Sequence, residues 1–148
     1  LDVTIQAQML ELIKELQQTQ GTAVILITHA LGVVASVCQR VIVMYAGQIV
    51  EEAPVEALFA RPLHPYTLAL LESIPRSDAA SQQPLKAIPG QPPDMLHPPA
   101  GCPFHPRCEL VFERCRVEPP VEERLGTRRR LCWAVADDVA RQHSLPQQ

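Results

Sequence analysis

The sequence has no surplus of positive charge, no hydrophobic run long enough to cross a bilayer, no visible signal peptide and no internal repeat. Lysine and arginine number 13 against 16 aspartates and glutamates, a net charge of −3. The basic face that nucleic acid requires is missing, so nucleic acid is not an expected partner. No stretch approaches the roughly 18 apolar residues of a membrane helix. The chain opens on Leu1-Asp2-Val3 rather than on methionine, which reads as a truncated sequence. Close cysteine pairs are also missing: none of the five cysteines forms the C-x2-4-C knuckle usual at zinc sites.

What is present is a chain of 148 residues, 47% hydrophobic, enough for one modest domain with a small appendage. Its 15 prolines are unevenly spread. Two precede Pro65, and most of the others fall between Pro75 and Pro120. Such a shift in composition marks a boundary. Before it the chain is periodic and apolar; after it the chain is loop-rich and holds four of the five cysteines.

Ile5, Met9, Leu12, Ile13 and Leu16 recur at helical spacing and predict an amphipathic helix over Thr4 to Gln18. Asp2 or Thr4 can cap its start, and Gly21 suits its stop. The apolar, β-branched run Ala23 to Thr28 predicts a strand buried on both faces of a parallel sheet. His29 follows it. A short helix is expected over Leu31 to Val37, with Cys38 as a small buried hydrophobe. Arg40 to Tyr45 and Gln48 to Glu52 read as strands joined by a tight turn at Ala46-Gly47. Further helices are expected over Val55 to Ala60 and over Tyr66 to Ile74, the latter with Leu70, Leu71 and Ile74 on its packed side. This alternation argues an α/β architecture. Residues 75–100 hold seven prolines and read as an extended connector. The stretch Gly101 to Trp133 is too poor in apolar residues to build a core unaided and calls for a staple. A short helix is expected after Ala134.

Cys102, Cys108, Cys115 and Cys132 follow the spacing C-x5-C-x6-C-x16-C. Disulfides would need an oxidising compartment, and nothing directs export. Zinc and an iron–sulfur cluster both take four thiolates, and the spacing leaves the two side by side. Four unlinked thiols is the plain alternative. Arg107, Arg114 and Arg116 flank these cysteines and would offset an anionic site. His97 and His105 are left out because four cysteines complete a ligand set. His64 and His143 read as surface residues without partners.

Several segments resemble the ATP-binding subunits of ABC importers of the oligopeptide/dipeptide type. Leu26-Ile27-Thr28-His29 resembles the H-switch of ABC ATPases. Leu1-Asp2-Val3 is similar to the end of the D-loop, and Val43 to Glu51 resembles the "MxxGxIVE" stretch. Arg61 to Thr67 is similar to the "HPYT" element of peptide importers, and Ile88 to Pro93 to "IPGxPP". Gly101 to Cys108 resembles "GCxFxPRC", and Cys132-Trp133 the closing "CW". Together these cover nearly the whole chain.

The resemblance implies an α/β fold: the C-terminal part of a P-loop NTPase domain of the ABC type over 1–74, then the connector 75–100, then a small loop-rich, metal-bound domain over 101–148. It implies ATP with Mg as cofactor of the complete subunit, with His29 contacting the γ-phosphate and Asp2 crossing the dimer seam. It tips the cysteines toward a [4Fe–4S] cluster, with zinc as the alternative. Implied partners are a second ATPase subunit, integral membrane permease subunits and, indirectly, an extracytoplasmic solute-binding protein, placing the chain at the cytoplasmic face of the membrane. Peptides are the default cargo; nickel, glutathione and sugar-like cargo stay open. The sequence departs from the family in lacking G-x-x-x-x-G-K-[ST], the LSGGQ signature and the Walker B carboxylates, so by itself it is expected not to bind ATP. The rival reading is a non-enzymatic, metal-stapled module for interaction or redox sensing.

Overall fold

A computed structural model of the chain describes residues 3–74 and 87–142. Packing divides it into two units, Leu1–Gln39 and Arg40–Gln148. The sequence places its boundaries differently, at 74 and 100.

In the first unit, helix α1 spans Val3–Gln20. It stops where Gly21 turns left-handed, at φ +62°, and donates its N–H to the Gln17 carbonyl at 3.1 Å. Its apolar stripe stays open: Ile5, Met9, Leu12 and Leu16 are all classed as exposed. Residues 21–28 do not form the strand predicted there. A strand is defined by its ladder, and among the described residues none pairs with this run. Ile25 and Ile27 are accordingly 92% and 94% exposed. Helix α2, Leu31–Val37, follows. Cys38 caps it, half-buried rather than buried, donating its N–H to the Val34 carbonyl.

The second unit is built on a four-stranded antiparallel sheet in the order β1-β2-β4-β3, in which the expected hairpin forms one edge; the parallel sheet expected around Ala23 to Thr28 is not seen among the described residues. Strands β1 (Arg40–Tyr45) and β2 (Gln48–Pro54) form a hairpin. Ala46 and Gly47 both have positive φ, the primed turn whose twist suits a two-residue hairpin. Val41, Val43 and Tyr45 alternate inward along β1. A bulge opposite Val43/Met44 shifts the register of β2, and Val50 and Glu51 are consecutive buried residues.

Helix α3 (Val55–Ala60) buries Leu58 completely, worth on the order of 1.5–3 kcal/mol. Helix α4 spans Pro65–Glu72. It buries Thr67 and Leu68, not the predicted face of Leu70, Leu71 and Ile74; Ile74 lies past its end and is exposed. Residues 87–100 hold no helix or strand; the rest of the predicted connector, 75–86, lies outside the described residues.

Beyond residue 100 the chain makes a 3-10 turn at His105–Arg107, helix α5 (Glu113–Val117), strands β3 (Glu122–Leu125) and β4 (Arg128–Leu131), and helix α6 (Ala136–Gln142). The two strands were not predicted. Their charged residues hide the alternation that marks a strand, and the partner that orders β4 is remote. Glu51 and Glu52 of β2 stand opposite Arg130 and Arg129. The cysteine-rich stretch thus shares the sheet of the hairpin instead of depending on a staple alone.

Candidate functional site

His29 lies at a bend after the extended run and is exposed. The Thr28 hydroxyl accepts the Ala30 N–H at 3.0 Å, fixing the turn that leads into α2. Asp2 lies outside the described residues.

In the second unit, Glu51 carries a fully buried carboxylate in the middle of the sheet. One oxygen accepts the Leu63 N–H at 2.9 Å and the Arg128 guanidinium at 2.9 Å; the other accepts the His64 N–H at 3.0 Å. Arg130, also buried, pairs with Glu123 at 2.6 Å and donates to the Leu63 carbonyl. An acid, two arginines and two backbone N–H groups therefore clamp the loop before α4. Each buried charge has its partner, as burial requires. The sequence reading missed Glu51, Arg128 and Arg130. The available signal was an acid directly after Ile49-Val50 in a strand, and a run of three arginines to answer it.

The clamp sets His64, which is 1% exposed rather than on the surface. His64 is the N-cap of α4: its Nδ1 accepts the Tyr66 N–H at 3.0 Å. Burial first, and the charge of Arg130 second, push its pKa down to about 3, so the ring is neutral. Its face meets Phe104 at 5.9 Å, and Phe104, Tyr45 and Tyr66 form a triangle of aromatic contacts with centroids 4.6–5.3 Å apart.

Four backbone segments bring Cys102, Cys108, Cys115 and Cys132 to the wall of one cavity, which His64, His105 and Trp133 also line. Each placement has a local cause. Gly101 has φ +69°, and a Cβ there would meet the Cys115 carbonyl oxygen at 2.4 Å. Only glycine lets the Cys102 N–H reach that carbonyl, at 2.8 Å. The Cys102 carbonyl accepts the His105 N–H and, at 2.9 Å, His105 Nδ1, closing the turn toward Cys108. Arg107 donates to the Pro89 and Ile88 carbonyls and to the Tyr45 hydroxyl, binding residues 88–90 to β1. Arg114 lies 3.6 Å from the Trp133 ring centroid and bonds Glu118, while Trp133 Nε1 donates to the Glu118 carbonyl.

All four thiols are free. Burial raises the Cys102 thiol, pushes Cys108 up to about 12 and Cys132 to about 11; the neighbouring cysteines add to each rise. Among the described residues, no group of three or more His, Cys, Asp or Glu is arranged to hold a metal ion. A lone zinc, which draws four sulfurs to about 2.3 Å, does not fit the side chains as they stand. A four-iron cluster takes one thiolate on each iron, and the cavity of about 10 Å³ that these four cysteines line is too small to hold one as the side chains stand.

A family model described as the oligopeptide/dipeptide transporter, C-terminal region, matches residues 50–115. The chain is 46% identical over 137 residues to the oligopeptide transport ATP-binding protein OppD of Haemophilus influenzae, covering 93% of this chain and 42% of that protein. It is 45% identical over 139 residues to OppD of Salmonella typhimurium, covering 94% and 41%. With a probable peptide ABC transporter ATP-binding protein of Sinorhizobium fredii it is 56% identical over 121 residues, 82% of this chain and 36% of that one. Residues 50–115 carry the C-terminal region of the oligopeptide/dipeptide transporter family. It spans about two fifths of the length of the curated relatives it matches. The family's C-terminal region includes Glu51, His64, Gly101 and three of the four cavity cysteines; Cys132 lies beyond the matched stretch.

Proposed function

We propose that the chain is part of an ATP-binding subunit that powers peptide uptake through an ABC importer. The observation that carries this is 45–56% identity to proteins named for peptide transport and ATP binding. In this reading two ATPase subunits close on ATP and Mg at the cytoplasmic face of the membrane and drive the permease subunits. A solute-binding protein delivers the peptide from the far side. His29 stands at the γ-phosphate and helps position the attacking water, while Asp2 couples the two sites across the seam. Such catalysis is positioning and charge stabilisation more than covalent chemistry. In the whole subunit, His29→Ala is expected to lower turnover by about 100-fold or more while ATP still binds. Unchanged turnover would remove His29 from the mechanism. The 148-residue chain has no G-x-x-x-x-G-K-[ST] loop and is expected to show no ATP binding by calorimetry. Micromolar affinity would overturn that reading.

The finer proposal concerns Cys102, Cys108, Cys115 and Cys132: together they hold a [4Fe–4S] cluster. Convergence of four free thiols on one cavity supports it. When bound, the cluster would cross-link four backbone segments and stabilise this region, as structural metals do elsewhere. Anaerobic purification with metal analysis tests it. Iron and sulfide near four each per chain are expected; zinc near one would replace the cluster with a single ion.

A further inference from the structure

Thr28 is the one polar residue in the run Ala23 to Thr28. Extended backbone does not require it there: valine has nearly the same shape and suits a strand as well. What valine lacks is a hydroxyl. The Thr28 oxygen is in use, accepting the Ala30 N–H at 3.0 Å.

That bond spans a single residue, His29. A side-chain bond from one residue to the N–H two places on closes a ring through the backbone of the residue between them. It therefore holds φ and ψ of His29, and with them the direction in which the imidazole leaves the chain. The far end of the ring is tied to α2. The Ala30 carbonyl accepts the Val33 N–H at 3.0 Å and the Val34 N–H at 3.2 Å, and Val34 is buried. His29 itself is exposed, so the turn rather than packing sets the direction of its ring.

We infer that Thr28 is a positioning residue for His29, an inference that rests on the reading of His29 as the γ-phosphate contact. Its hydroxyl takes no part in the chemistry. It locks the backbone that carries the imidazole, so that the ring meets the phosphate in one orientation. Small misplacements of a positioned group lower the rate steeply, which makes a single turn bond worth having at this place.

The test uses the whole subunit, with ATP binding and single-turnover hydrolysis measured side by side. Thr28→Val keeps the shape and removes the acceptor. It is expected to lower the hydrolysis rate by roughly 10-fold, the scale of one lost hydrogen bond, with ATP affinity unchanged. Thr28→Ser restores the acceptor and should recover most of the lost rate. In a His29→Ala background, Thr28→Val should lower the rate no further, because the group it positions is gone. An unchanged rate in Thr28→Val, or no recovery in Thr28→Ser, overturns the inference. So does an equal loss in both backgrounds, which would assign Thr28 a purely structural part, and so does a fall in ATP affinity that accounts for the lost rate. If His29→Ala alone leaves the rate unchanged, the reading of His29 fails, and the inference with it.

Discussion

The Glu51 carboxylate lies 3.0 Å from the backbone nitrogen of His64, and solvent reaches neither residue to any useful extent. The same carboxylate serves the Leu63 N–H and Arg128. Removing it leaves a guanidinium and two buried N–H groups without their partner. Breaking a buried pair in this way costs about 3–5 kcal/mol. Glu51→Ala is therefore expected to lower the urea midpoint strongly, followed by the fluorescence of Trp133, the one tryptophan. A loss below about 1 kcal/mol would show that the loop before α4 is held by something else.

Gly101 and Gly126 both have positive φ, but only one of them is enclosed. A Cβ on Gly101 would strike the backbone of Cys115 and Arg116, whereas one on Gly126 would meet nothing within 4 Å. Gly126→Ala should cost only the left-handed strain, about 1 kcal/mol. Gly101→Ala should cost clearly more, because the contact of Cys102 with Cys115 must open. Equal losses in paired denaturation curves would contradict this placement of Cys102.

The neutral, buried state of His64 links stability to pH. Its pKa is about 3 when folded against 6.5 for the ordinary side chain. Between these values the unfolded chain takes up a proton that the folded chain refuses. The contribution is therefore complete above about pH 6.5 and is lost as pH falls toward 3, at up to about 1.4 kcal/mol per pH unit. In the metal-free chain, wild type should lose stability faster than His64→Asn between about pH 7 and about pH 5. Parallel losses would mean that His64 is charged or exposed in solution.

The sequence by itself determined the elements whose signal is local. The helix Val3–Gln20 follows from a 3.6-residue apolar period and ends at Gly21 because glycine alone enters the left-handed region cheaply. The β1-β2 hairpin follows from alternation and the Ala46-Gly47 turn. Grouping of the four cysteines was likewise legible from their confinement to the last third of the chain. Tertiary structure alone decided the rest. Ala23 to Thr28 has strand composition but no ladder among the described residues, since hydrogen-bond partners are not encoded in the run itself. Strands β3 and β4 exist because Glu51 and Glu52 stand opposite Arg130 and Arg129 some 77 residues away, a match of charges that no local period displays. The same remote contacts bury His64, whose polar side chain reads as surface until Glu51, Phe104 and the cysteine segments close around it.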